Sequence, residues 1–283
     1  MPMTGSKAVL RLVAFALLAG SSVGRAPATE AVTAGSIMAQ VAANQDRSEK
    51  LRSQYVYHQR IHVVSRKGNG KVLREETADY HVAPKPDGTG KALQQLTGRY
   101  WHGGKYVDFS GEPVPEPDST DAELVHSFRE DLTDDHSKDG LARDLFPLTT
   151  EQQQDYQFRL IGEETFEGHK TYHIGFTPKD SEDIDWAGEA FIDESELQPI
   201  YVFSKLSKRI PFGVRTFLGT DLPGIGFAVH YRRQEDGVWF PTSMGSEFKI
   251  HVLFFFNRKM SISMENKDFE HTHVESKIVE GNQ

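Results

Sequence analysis

Two pairs of histidines, a pair of aspartates and an acid-rich stretch are the places where this chain could do chemistry by residue type and spacing. His271 and His273 stand two apart, and His58 and His62 four apart, so each pair would share one face of a strand, an arrangement able to chelate a metal. Neither pair has an evident third ligand, and surface histidines are the plainer reading. Asp183 and Asp185 flank a turn before Trp186 and could act as acid and base, although acids in turns commonly bond backbone amides instead. Asp118 to Asp139 holds eight acids against Arg129 and Lys138. It lacks the alternating Asp, Asn and Gly ligands of a calcium loop and reads as a solvated helix face.

Other catalytic signatures are missing. There is no G-x-S-x-G elbow, no H-E-x-x-H and no phosphate loop. Leu222-Pro223-Gly224-Ile225-Gly226-Phe227 resembles a dinucleotide fingerprint only superficially, because Val229 stands where the third glycine is needed. The chain has no cysteine, which excludes disulfides, thiolate metal sites and a cysteine nucleophile. The residues therefore point to a protein that is not an enzyme and carries no cofactor.

Residues 1–28 have the layout of a secretory signal peptide: Lys7 and Arg11, an apolar run from Leu12 to Ala19, and a small-residue end at Ala26-Pro27-Ala28. The run is too short to span a bilayer, and Ala-x-Ala is a cleavage pattern. An exported, periplasmic protein is the expectation. Losing Lys7, Arg11 and Arg25 with the leader lowers 32 basic residues to 29 against 41 acids, a net charge of −12. That balance disfavours nucleic acid as a partner.

The elements that would position these residues are mostly strands. The spacing predicts a helix from about Thr33 to Asn44, a charged link from Asp46 to Arg52, then a hairpin of Tyr55 to Val64 and Val72 to Val82 around Gly68-Asn69-Gly70. Pro84 to Gly90 reads as a loop, and Arg99 to Phe109 as a strand pair around Gly103-Gly104. Thr120 with Glu123 forms a capping box opening a helix in an acidic insertion near residues 118–150. From Tyr156 onward a meander is expected: Phe158 to Gly162 with Lys170 to Phe176, Trp186 to Asp193 with Ile200 to Leu206, then Phe227 to Arg233, Trp239 to Thr242, Ser246 to Phe256 and Lys259 to Asn266. Residues 29–283 read as one domain, mainly β with a few helices, in which a large antiparallel sheet curves into an open half-barrel covered by helices.

Each strand has an apolar face: Tyr172, Ile174 and Phe176; Ile200 and Val202; Phe227, Val229 and Tyr231; Phe248, Ile250, Val252 and Phe254. Few helices are available to cover so much wall, so these residues are candidates to line a ligand cavity as well as to form ordinary core. Ile210 to Gly219 is apolar without alternation. Its Phe212, Val214, Phe217 and Leu218 suit either a flap at the mouth of the sheet or a fixed crossover loop.

The segment GEETFEGHKTYHIGFTP (Gly162 to Pro178), followed by GEAFIDESELQP (Gly188 to Pro199), the closing Trp239-Phe240-Pro241 and Glu247-Phe248, and the exported helix-then-strand opening resemble the periplasmic lipoprotein-carrier superfamily. That superfamily includes the outer-membrane lipoprotein-sorting carrier, its membrane-bound acceptor and a stress-sensing regulator. The compact cue is a G-x-x-x-Y-x-I-x-F-x-P strand followed by a G-x-x-x-I-D strand and a proline, within a likeness spanning most of residues 36–278. The resemblance implies an open half-barrel with helices lidding its concave face and a cavity for acyl chains. The acidic insertion and the Ile210 to Gly219 segment depart from the pattern. The partner expected is a lipid or lipoprotein acyl chain, or else an envelope protein bound by the same scaffold as a sensor.

Overall fold

A computed structural model describes residues 32–85, 88–133, 146–180, 186–206, 220–221, 225–252 and 256–272. The strands are β1 (Tyr55–Lys67), β2 (Val72–Lys85), β3 (Gly88–His102), β4 (Lys105–Ser110), β5 (Tyr156–Phe166), β6 (His169–Pro178), β7 (Trp186–Asp193), β8 (Pro199–Leu206), β9 (Thr220–Asp221), β10 (Gly226–Arg233), β11 (Trp239–Val252) and β12 (Phe256–His271). Two helices, α1 (Ala34–Arg52) and α2 (Thr120–Thr133), and a 3-10 turn at Gln152–Asp155 complete the described elements.

All the paired strands run antiparallel in one sheet, in the order β4-β3-β2-β1-β12-β11-β10-β8-β7-β6-β5, with β9 beside the far end of β11. The ends of that path, β4 and β5, do not pair, so the sheet is an open half-barrel. The meander follows from its turns. Gly70, Gly168 and Gly237 have positive φ, which lets tight connections follow the strand twist. The chain closes on itself where β1 meets β12, with Ile61 opposite Met264 and Val63 opposite Ile262.

Several boundaries differ from the sequence expectation. Asp46 to Arg52 is helix, the second half of α1, because two of its polar residues are buried against partners: Ser48 Oγ accepts from Gln198 Nε2 at 3.2 Å and Arg52 Nη1 donates to the Trp239 carbonyl at 3.1 Å. Pro84 to Gly90 is mostly strand, with Pro84 opposite Thr89 and Lys85 opposite Gly88. The polar composition of β3 concealed its pairing. Trp239 to Thr242 and Ser246 onward form a single strand, β11, that runs straight through Gly245. The α2 cap is Ser119, whose Oγ accepts from the Ala122 amide at 3.3 Å, rather than Thr120.

Candidate functional site

The strands divide the sheet into two unlike faces. The first is apolar on strand after strand: Tyr57, Ile61 and Val63 on β1, Ile174 and Phe176 on β6, Ala190 and Ile192 on β7, Val202 on β8, Val229 on β10, Met244 and Phe248 on β11, and Met260 and Met264 on β12 all belong to one buried cluster. Paired positions confirm that they look the same way, since Ile174 is opposite Ala190, Ala190 opposite Val202, Val202 opposite Val229 and Val229 opposite Met244. Both helices lie on this wall, α1 against β5 and β11 and α2 against β1 and β2.

Each helix is fixed by an apolar stripe and a polar clamp. Thr33 and Ser36 form a reciprocal capping box that starts α1, and Ile37, Met38 and Val41 then face the cluster. Asn44 Nδ2 donates to the Glu196 and Leu197 carbonyls, each at 3.0 Å, tying α1 to the β7–β8 connection. That connection is itself rigid. Asp193 Oδ1 accepts from the Ser195 and Glu196 amides at 2.8 Å, and although burial opposes its charge, the bonds from Ser195, Glu196 and His169 hold the carboxyl below its ordinary range.

Helix α2 buries Val125 and Leu132 in the cluster, and its Phe128 meets Phe248 edge-on at 5.3 Å. Its clamp is a buried charge network. Arg74 and Glu76, 1% and 2% exposed, pair at 2.7 Å, while Arg129 Nε lies 3.7 Å from Glu76 and its Nη1 3.2 Å from Glu112. Burial works against the Arg129 charge, but Tyr80 and Glu76 outweigh it and raise the guanidinium above its ordinary value. Such a network suits anchoring, because each buried guanidinium lies beside a carboxylate. At the other end of α2, Arg258 grips Asp121 at 2.6 and 2.9 Å, and Ser65 Oγ donates to the same carboxylate at 2.6 Å.

The residues singled out from sequence fall into three groups. Ile174, Phe176, Ile200, Val202, Val229, Tyr231, Phe248 and Ile250 are buried on the helix-covered wall, and Tyr172 and Phe227 pack partly against it. The side chain of Val252 and all of Phe254 lie outside the described residues, as do Phe212, Val214, Phe217 and Leu218 and the pair Asp183 and Asp185. His273 is also outside them, while His271 Nε2 lies 3.0 Å from Gln54 Oε1. His58 and His62 both sit on β1, where four residues of strand separate them by about 13 Å, too far to share an ion. Among the described residues no cluster of three metal-ligating side chains occurs. Sequence reasoning missed the contribution of β1 and β12 to the wall, although Met260, Ile262 and Met264 recur at every second position, which is the strand signal itself.

No family model and no curated protein matches the chain. Among solved structures, similar chains include a LolA superfamily protein from Nitrosomonas europaea (12% identical, covering 86% of this chain and 96% of that one, TM-score 0.35). Others are a DUF1329 family protein from Desulfovibrio piger (14%, 86% and 95%, TM-score 0.36) and a chain in the complex of Pseudomonas aeruginosa MucA and MucB (10%, 80% and 94%, TM-score 0.22). None of them transfers a site residue.

Proposed function

We propose that this protein is a non-catalytic carrier or chaperone of the periplasm that shields a lipid or lipoprotein acyl chain between the helix-covered wall of its half-barrel and the helices lying on it. The observation that carries this reading is the extent of one apolar wall: side chains face the same way across the whole path from β2 to β5 into a single buried cluster, beneath two described α-helices of 19 and 14 residues. An acyl chain has the polarity of that interior and would lie in it where a helix moves off the wall. Among the described residues no helix is long and apolar enough to cross a membrane.

Chain length is the discriminating variable. Each methylene covered contributes about 0.8 kcal/mol, so a fluorescent fatty acid should bind saturably, and competing unlabelled acids should displace it more tightly as the chain grows from ten to fourteen carbons. Absence of saturable uptake, or affinity indifferent to chain length, overturns the proposal.

An envelope protein partner is the second reading, supported by the exposed acids Glu123 and Glu130 on α2. Reversing both to lysine would then abolish partner capture while acyl uptake persists. Deleting the helix is a poorer test, because Val125, Arg129 and Leu132 belong to the packed interior.

A further inference from the structure

The sheet's other face, away from the helices, carries a groove of about 650 Å³, within the range of about 300–1,000 Å³ typical of small-molecule sites. Its floor is a rung of paired residues crossing five adjacent strands: Phe203 opposite Ala228, Ala228 opposite Gly245, Gly245 opposite Ser263, and Ser263 opposite His62. At ordinary strand spacing that rung is about 19 Å long. Rings stand at both ends and small residues lie between. His62 closes its end, its ionisation held below the ordinary imidazole range because burial and Arg66 lower it more than Glu75 raises it.

Gly245 is the informative residue. Its φ is not positive, and a Cβ built on it would meet no atom within 4 Å. Neither backbone conformation nor packing therefore calls for glycine. Gly188 is the contrast, since a Cβ there would collide with the Phe203 carbonyl. A glycine in mid-strand weakens a sheet, and where no close contact explains it, it leaves room for something to approach the backbone.

Two rungs along, the charges point to the class of ligand. Lys249 is directly opposite Lys259, and Lys259 directly opposite Arg66. Like charges so placed repel, yet the chain has 41 acids to 32 bases. Lys249 and Lys259 are exposed and make no ion pair among the described residues. Between floor and cations lies the rung of Glu247, Ser261 and the buried Val64, 1% exposed. Glu247 is answered within the groove: Arg66 Nη1 donates to Ser261 Oγ at 2.6 Å, and Ser261 Oγ to Glu247 Oε1 at 3.3 Å. Among the described residues no carboxylate pairs with either lysine beside the groove.

We infer that this groove is a second binding site, separate from the helix-covered wall, for an anionic single-chain amphiphile whose apolar arm lies over Gly245 between Phe203 and His62 and whose phosphate meets Lys249 and Lys259. The assignment stands on the open face alone and does not require the acyl site on the other face.

Lysophosphatidylglycerol, below its micelle concentration, is the probe, with zwitterionic lysophosphatidylcholine of the same chain length as its control. Native protein should bind the anionic lipid about tenfold more tightly, the yield of two exposed lysine contacts. Lys249→Gln with Lys259→Gln should remove that preference, and Gly245→Leu should abolish binding in the groove while fluorescent fatty-acid uptake by the other face persists. A melting curve checks that Gly245→Leu is folded, and the double lysine variant tests the site without touching its floor. Equal affinity for the two lipids, or anionic-lipid binding unchanged in both variants, overturns the inference whether or not the fatty acid binds.

Discussion

The two faces of the half-barrel spend the same sheet in opposite ways. On one face the large side chains of β5 to β12, Ile174, Phe176, Val202, Val229 and Phe248 among them, interlock with helices and lose contact with water. On the other, the equivalent rung is Ala228, Gly245 and Ser263, and the surface is left as a trough edged with cations. Alternation along each strand makes this possible, since neighbouring residues serve different faces and can be chosen independently. One face holds the fold together and also offers apolar wall, whereas at the rung of Ala228, Gly245 and Ser263 the other carries only small side chains and is free there to be shaped for recognition.

Substitutions that strike the clamp of the helix-covered face should have the largest effects. Glu76→Ala would leave Arg74 and Arg129 buried without their shared carboxylate, which should cost about 3–5 kcal/mol in urea unfolding. Next comes Ile174→Ala, a fully buried truncation expected to cost about 2–5 kcal/mol. On the open face the sign should reverse: Gly245→Ala should gain about 0.5–1 kcal/mol, because the backbone there is ordinary and the space is empty. Equal losses from Ile174→Ala and Gly245→Ala would erase the contrast between the faces.

A smaller effect concerns the seam between β1 and the β10–β11 turn. The Tyr55 hydroxyl donates to Asp236, and burial, with that bond and the charge of Asp236, pushes its pKa up from 10.0 to about 12. Because the folded value is the higher one, the stability this phenol contributes is complete below pH 10 and is lost as pH rises toward about 12. Alkaline melting curves of Tyr55→Phe should lack that loss, and a parallel decline in both proteins would assign it elsewhere.

Much of the helix-covered face was legible in the sequence, and the open face was not. Strands such as Trp186–Asp193 and their turns announce themselves because alternation and positive-φ glycines are local signals. The second half of α1 escaped because Gln45, Ser48 and Arg52 are polar residues whose burial depends on Gln198 and Trp239, about 150 and 190 positions away. β3 escaped because an edge-side strand with Lys91, Gln94 and Gln95 has no apolar face to display. The groove has no local signature at all. Phe203, Ala228, Gly245, Ser263 and His62 form a rung only through the register of five strands, and two of its features are an absent side chain and a repulsive charge pair. Gly245 falls in the gap expected between Trp239 to Thr242 and Ser246 to Phe256, a gap that β11 spans.

The central claim is that the helix-covered wall keeps an acyl chain from water. Native mass spectrometry of the protein purified from its own envelope tests it most directly. The account predicts a population heavier than the bare chain by the mass of a lipid, lost on extraction with organic solvent and regained on incubation with long-chain fatty acid. A single species at the bare mass, which takes up no fatty acid when offered it, would contradict the account.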